Sequence, residues 1–165
     1  MAALTAGTKA PEFELKAMDG NRFVLREELA RGPVVLAFFK VSCPVCQYAF
    51  PFLERLERAY GHKGVRIVGV SQNDPKHTAA FTKEFGVTFP VLLDDTETYP
   101  VSNAYGLTNV PTAFWIAQDG EIEVSSVGWV KAEFDDINRR MAESSKIAPA
   151  AVFKPGEDVR DFRAG

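Results

Sequence analysis

The sequence contains few of the side chains that cross-link small folds through disulfides or that bind metals. Two cysteines and two histidines, His62 and His77, occur among 165 residues. A fold held together by several disulfides is therefore excluded, and without a second cysteine pair the common four-ligand zinc sites are not supported. With 46% hydrophobic residues, a chain of this length buries a sizeable core without disulfide or metal cross-links. We expect a chemical task for the two cysteines, and neither a metal nor a cofactor.

A basic excess and long apolar runs are also absent. The net charge is −3 and the lysines and arginines are scattered, so a nucleic-acid partner is not indicated. No run approaches the roughly 20 apolar residues that span a bilayer. Residues 1–9 lack the basic start and apolar stretch of a secretory signal. We therefore expect a cytoplasmic protein with no membrane partner, and a periplasmic or exported one as the alternative if a leader was removed.

The two cysteines stand at the junction of two patterns. Cys43 and Cys46 follow the apolar run 34–39 directly and precede a segment with helical apolar spacing that reaches Tyr60. The continuous apolar run 34–39 is typical of a strand buried on both faces. At the start of the helix, free backbone N–H groups and the helix dipole favour the thiolate form of the first sulfur. The pattern predicts a thiol-disulfide redox site.

Strands and helices alternate along the chain. A turn at 19–21 between two short extended segments predicts an N-terminal hairpin. Apolar runs at 65–70 and 91–93 predict buried strands with a helix between them, and a hairpin turned at 119–120 precedes an amphipathic helix at 131–142. This order predicts an α/β fold of three layers, α/β/α, with helices on both faces of the sheet.

The end of the chain differs from the rest in composition. From Ala148 onward it is rich in alanine, proline and glycine with mixed charge. We predict one domain over residues 1–147 and a C-terminal tail over 148–165, which lies over the domain or extends into solvent. A monomer is expected.

Three stretches carry a family resemblance. They are residues 7–15 (GTKAPEFEL), residues 38–46 (FFKVSCPVC) and residues 105–116 (YGLTNVPTAFWI). With all three in this order, the chain resembles the thioredoxin-like superfamily, specifically the TlpA/ResA-type thiol-disulfide oxidoreductases and the neighbouring AhpC/TSA (redoxin) proteins. The resemblance implies a thioredoxin-like sandwich with a mixed central sheet, an N-terminal hairpin extension and a helix-strand insertion after the second core strand.

The resemblance also implies a mechanism and a site. Cys43 would attack a disulfide as the thiolate, and Cys46 would resolve the mixed disulfide. In such proteins the proline matching Pro111 is cis and lies beside the disulfide, where the neighbouring backbone, here Val110, can pair with an extended substrate. The implied partners are a protein or small-molecule disulfide or dithiol and an electron donor. The sequence specifies neither the donor nor the direction of electron flow.

Three positions depart from the family pattern. Ser42 stands where thioredoxins carry tryptophan, and Ala37 where they carry a buried aspartate. Ala49 stands where ResA-type proteins carry a glutamate. Both usual proton acceptors are thus missing, so deprotonation of Cys46 is left to water or another group. Lys40 would stabilise a thiolate only if its side chain points toward the site.

Two alternatives remain open from the residues. A peroxiredoxin-like thiol peroxidase would use Cys46 as the peroxidatic cysteine. Its motif fits poorly, because Phe39 and Cys43 stand where proline and threonine belong, and no arginine occurs between Arg66 and Arg139. The second alternative is a non-catalytic binding module on the same scaffold.

Overall fold

The computed structural model describes residues 2–165; Met1, the first residue of the segment searched for a secretory signal, lies outside the described residues. The strands are β1 (Glu14–Lys16), β2 (Arg22–Val24), β3 (Val34–Phe39), β4 (Arg66–Ser71), β5 (Val91–Leu93), β6 (Thr112–Ile116), β7 (Ile122–Val127), β8 (Trp129–Val130) and β9 (Phe162–Arg163). The helices are α1 (Leu25–Leu29), α2 (Pro44–Tyr60), α3 (Pro75–Glu84), α4 (Pro100–Ala104) and α5 (Lys131–Ser145). Within residues 2–165, no helix is long and apolar enough to cross a membrane.

The central sheet is mixed, as predicted. Its strand order is β5-β4-β3-β6-β7. The strands β3, β4 and β5 are parallel, whereas β6 runs antiparallel to both β3 and β7. The hairpin β1-β2 precedes this sheet, and α3 with β5 forms the insertion after the second core strand. The α/β fold and its two additions are therefore confirmed.

Strand β3 divides the core into two halves because its side chains alternate between the faces of the sheet. On one face, three of its residues pack with α2, α3 and α5: Val35, Ala37 and Phe39. On the other face, three pack with α1 and α4: Val34, Leu36 and Phe38. All six are fully buried. This gives the three layers, and it fixes the end of β3 at the start of α2, where the cysteines lie.

Helix α2 begins at a proline and buries one face. Pro44 occupies the first turn, where its missing N–H is not needed, and Pro51 lies inside the helix without ending it. At the other end, the Tyr60 hydroxyl donates to Asn138 Oδ1 of α5 at 2.5 Å. It also accepts the backbone N–H of Ala150 at 2.7 Å. One buried hydroxyl thus joins α2, α5 and the start of the C-terminal segment.

The segment after α5 lies against the domain along α2. Val152 is buried, and Phe153 packs on Phe52 with ring centroids 5.4 Å apart. The Arg55 guanidinium binds both carboxylate oxygens of Glu157, at 2.7 and 2.8 Å. The segment ends in β9, which pairs with β8. These contacts, which join residues distant in sequence, fix the course of residues 148–165 over the domain.

Candidate active site

Cys43 and Cys46 lie at the start of α2, and both are free thiols. Cys43 is the N-cap residue, with extended backbone, and its Sγ accepts the backbone N–H of Cys46 at 3.3 Å. Cys43 is partly exposed, whereas Cys46 is fully buried in the core beneath it. The two sulfurs are therefore neighbours with very different access to solvent.

The loop that presents Cys43 is held by two polar side chains. The Asn73 side-chain oxygen accepts the backbone N–H of Val41 at 2.9 Å, and the Gln47 amide donates to the Val41 carbonyl at 2.9 Å. The Cys43 N–H donates to the Lys40 carbonyl at 3.2 Å. Sequence reasoning missed both side chains. Their signal is positional, because Asn73 follows β4 and adjacent parallel strands end at the same edge of a sheet.

The loop before β6 faces the first cysteine. The Cys43 thiol donates to the Val110 carbonyl oxygen, with sulfur and oxygen 3.3 Å apart. The Val110–Pro111 peptide bond is cis. The Gly128 N–H donates to the Pro111 carbonyl at 2.7 Å, and the Thr112 hydroxyl donates to Asn109 at 2.8 Å. The fold thus brings together Cys43, Cys46, Val110 and Pro111, the four predicted site residues.

A polar cavity of about 390 Å³ opens beside Cys43. The exposed Lys40 lines its mouth, and the buried Gln72 lines it as well. Gln72 donates to the Ser102 hydroxyl at 2.9 Å, and that hydroxyl donates to the buried Asp94 at 2.7 Å. These hydrogen bonds hold Gln72 and Ser102 in place, and both residues line the cavity. Across residues 2–165, no three His, Cys, Asp or Glu side chains are grouped to hold a metal ion.

The positions of the two missing acids are buried and apolar. Ala37 and Ala49 line a second cavity, of about 30 Å³, together with Pro111. Its lining side chains include no carboxyl group, and Ser126 is the hydroxyl among them. Ser126 donates to Glu133 at 3.2 Å, and burial raises the pKa of that carboxyl. The Glu133 carboxyl is thus linked to this cavity through the Ser126 hydroxyl but does not line it.

Burial raises the pKa of the Cys46 thiol far above its usual range. The hydrogen bond with Cys43 and the charge of a Cys43 thiolate raise the pKa further. A buried sulfur has little water to stabilise its negative form, so Cys46 stays protonated at neutral pH. Cys46 needs a proton acceptor before it can attack.

This difference in reactivity is measurable by alkylation of the reduced protein. In a Cys46→Ser variant, iodoacetamide is expected to modify Cys43 at least about a hundredfold faster than it modifies Cys46 in a Cys43→Ser variant at pH 7.5. The Cys46 rate should still be rising at pH 10, where an ordinary thiol with a pKa of about 8.5 has levelled off. Equal rates in guanidinium chloride are the control. Equal rates in the folded variants would contradict the burial of Cys46.

Comparisons with known proteins agree with this geometry. The AhpC/TSA family model matches residues 6–125. The thiol-disulfide oxidoreductase ResA of Geobacillus thermodenitrificans is 32% identical over 132 residues, which cover 79% of this chain and 74% of that protein. ResA of Bacillus subtilis is 32% identical over 156 residues, 94% of this chain and 79% of that protein.

A solved structure agrees in fold. The thioredoxin domain of a thiol-disulfide oxidoreductase from Bacteroides vulgatus superposes with a TM-score of 0.75, at 19% identity, over 84% of this chain and 99% of that domain. The family match, the two ResA relatives and the shared fold agree with the cysteine pair at the start of α2. The chain belongs to the AhpC/TSA family and is a thioredoxin-like thiol-disulfide oxidoreductase of the TlpA/ResA type.

Proposed function

We propose that Cys43 is the attacking thiolate and Cys46 the resolving thiol in exchange with protein or small-molecule disulfides. Cys43 attacks one substrate sulfur, so that a mixed disulfide forms and the other substrate sulfur leaves as a thiolate and takes up a proton. Cys46 then loses its proton and attacks Cys43. The second substrate sulfur leaves, the substrate has gained two electrons, and the protein holds a Cys43–Cys46 disulfide.

The observation that carries this order is the unequal exposure of the two sulfurs. Cys43 borders the open cavity, whereas Cys46 is 0% exposed. A substrate disulfide reaches Cys43 without any change in the core. Attack by Cys46 first would require the substrate to enter the buried core, where Cys46 belongs to one cluster with Phe39 and Phe50. The raised pKa of Cys46 supports the same order, since its attack then follows a slower proton loss.

The loop before β6 supplies a place for the substrate backbone. We assign Val110 and Pro111 to substrate contact because the Val110 carbonyl lies 3.3 Å from the attacking sulfur. An extended segment that reaches Cys43 therefore passes this carbonyl. Pairing of a backbone edge with an extended peptide gives affinity without demanding one sequence.

The electron donor in this proposal is a dithiol that reduces the Cys43–Cys46 disulfide. A redox titration of the pair against glutathione distinguishes a role as a reductant of disulfides from a role as an oxidant of thiols. The comparisons give no support for the cytoplasmic location, which stays a prediction beside its exported alternative, and a monomer likewise stays a prediction.

Trapping of the mixed disulfide tests which sulfur attacks. Mixed with an excess of insulin, the Cys46→Ser variant is expected to accumulate a covalent adduct through Cys43, because the resolving sulfur is absent. The adduct is measured by mass spectrometry and on non-reducing gels, and dithiothreitol should remove it. The matched Cys43→Ser variant should form none. An adduct on Cys46 in that variant would reverse the assignment.

A further inference from the structure

The end of the described chain lies beside the active site. Strand β9 pairs antiparallel with β8, with Arg163 opposite Trp129 and Phe162 opposite Val130. The Lys131 N–H donates to the Asp161 carbonyl at 2.9 Å. β8 directly follows Gly128, whose N–H binds the Pro111 carbonyl. Residues 161–163 thus extend a backbone edge that leads to the loop facing Cys43.

Gly165 reaches that loop itself. Its carbonyl accepts the Asn109 amide at 3.1 Å, and it lines the polar cavity together with Cys43. A methyl group added to Gly165 would lie 2.5 Å from the Val110 carbonyl oxygen. The approach is therefore closer than any residue with a side chain permits without a shift. The segment lies where the proposed function brings the substrate backbone.

A second close approach between the segment and the domain occurs at Gly128, the residue before β8. A methyl group on Gly128 would lie 2.6 Å from the Arg163 carbonyl oxygen, and the φ of Gly128 is +75°, which also favours glycine. Glycine thus stands on both sides of this contact, once in the domain and once in the segment. Backbone lies against backbone, in the manner of a bound extended peptide.

The segment is held by an ion pair upstream and mainly by hydrogen bonds at its end. The Arg55 guanidinium binds Glu157 and lowers the pKa of that carboxyl to about 2, so this ion pair stays formed from neutral pH down to strongly acid solution. Beyond it, Phe162 is 62% exposed and Arg163 covers the Tyr48 ring at 4.9 Å. Val159 packs against the core, and Arg160 bonds to the Trp129 indole and the Tyr48 hydroxyl. Because most of these contacts are hydrogen bonds, which a competing polypeptide and water can replace, residues 159–165 can leave while the anchor remains.

We propose that residues 159–165 are an intramolecular competitor of protein substrates, seated on the backbone edge at Val110 and Gly128. The inference rests on the proposed function, since it needs the substrate backbone to pass Val110. An anchored segment has a high effective concentration at its own site. A protein substrate must displace this segment. Its apparent affinity is therefore its intrinsic affinity multiplied by the fraction of molecules in which the segment has left the site. Small disulfides that enter only the polar cavity are less affected.

Deletion of residues 159–165 tests this competition and leaves the Glu157 anchor in place. With insulin as substrate and dithiothreitol as donor, the deletion is expected to lower KM about fivefold, with kcat unchanged. The KM for a small aromatic disulfide should change by less than about twofold. A synthetic peptide of residues 158–165, amidated at its end, should inhibit the deleted protein competitively with insulin. Unchanged KM for insulin together with no inhibition by the peptide would overturn the inference.

A point variant covers the case in which the deletion disturbs folding. The valine side chain in Gly165→Val would clash with the Val110 carbonyl, so this variant, like the deletion, is expected to lower the KM for insulin. Ala164→Val, at the exposed neighbouring position, is the matched control and should leave KM unchanged; equal KM values in the two variants would contradict the proposal. Adding Cys43→Ser to each protein separates the two hypotheses. Turnover without Cys43 would refute the attacking role, whatever the KM, whereas a Cys43-dependent turnover with unchanged KM refutes only the competition.

Discussion

Replacing Cys43 by serine is expected to reduce turnover with insulin to the background of dithiothreitol alone, a loss of about a thousandfold or more. A serine hydroxyl is a far weaker nucleophile than a thiolate at neutral pH, and no mixed disulfide can form on it. Turnover is followed as the turbidity of reduced insulin, and separately with a small aromatic disulfide. Both substrates should be affected, because both depend on the same first bond.

Ser42→Ala is the matched control for this loss. Ser42 is the exposed neighbour of Cys43, and loss of its hydroxyl should change turnover by no more than about a factor of two to three. Retained turnover in Cys43→Ser would remove Cys43 from the mechanism. If the same variant also consumed hydrogen peroxide, and Cys46→Ser did not, the peroxidase alternative would replace our proposal.

Truncation of Phe50 to alanine is expected to lower the free energy of unfolding by about 3–5 kcal/mol. Phe50 is fully buried on α2, one turn after Cys46. Its ring centroid lies 4.4 Å from that of Phe39 and 5.4 Å from that of Phe81. The cavity left by the ring would sit between the helix and the sheet, where neighbouring rings cannot close it completely. Guanidinium denaturation of the reduced protein measures the effect.

Phe162→Ala also removes a phenyl ring, but from an exposed position, and serves as the comparison. Phe162 is 62% exposed, so the free energy of unfolding should change by no more than about 0.5 kcal/mol. A loss below about 1 kcal/mol in Phe50→Ala would show that the α2 side of the core repacks around the missing ring. It would also mean that the position of Cys46 depends less on this packing than the structure indicates.

The unit formed by β3, the cysteines and α2 could be predicted because its signals are local. A continuous apolar run specifies a strand buried on both faces, and proline after Cys43 specifies where the helix starts. The sheet order then follows from the alternation of elements and from the family resemblance. The start of α2 with its two cysteines was therefore accessible from the residues, whereas the facing loop at Val110 and Pro111 was indicated by the resemblance.

The pairing of β8 with β9 was not predicted, because neither strand has a pattern of its own. Each contains two residues, too few for an alternation, and Phe162 points an apolar ring outward. Their pairing is specified by contacts between residues more than thirty positions apart. The Trp129 indole N–H, for example, donates to the Arg160 carbonyl at 2.6 Å. Such bonds leave no mark in a local window of sequence.

The polar supports of the site were missed for a similar reason. An asparagine or glutamine shows its chemical type in the sequence but not its partner, and Asn73 and Gln47 meet Val41 only in the folded chain. The two alanines are the opposite case. Ala37 and Ala49 carry no signal in themselves, and only the resemblance indicated that their positions matter.

The hydrogen bond between Cys43 and Val110 changes with the chemistry at sulfur. The thiol has a single proton, and in the reduced protein that proton is directed at the Val110 carbonyl. Once Cys43 ionises and is joined to another sulfur, the proton is gone and the carbonyl loses its donor. In the proposed mechanism, an amide N–H of the captured polypeptide then donates to the Val110 carbonyl. Loss of the thiol proton thus exposes a hydrogen-bond acceptor to the backbone that Cys43 captures, and return of the proton on reduction withdraws that acceptor again.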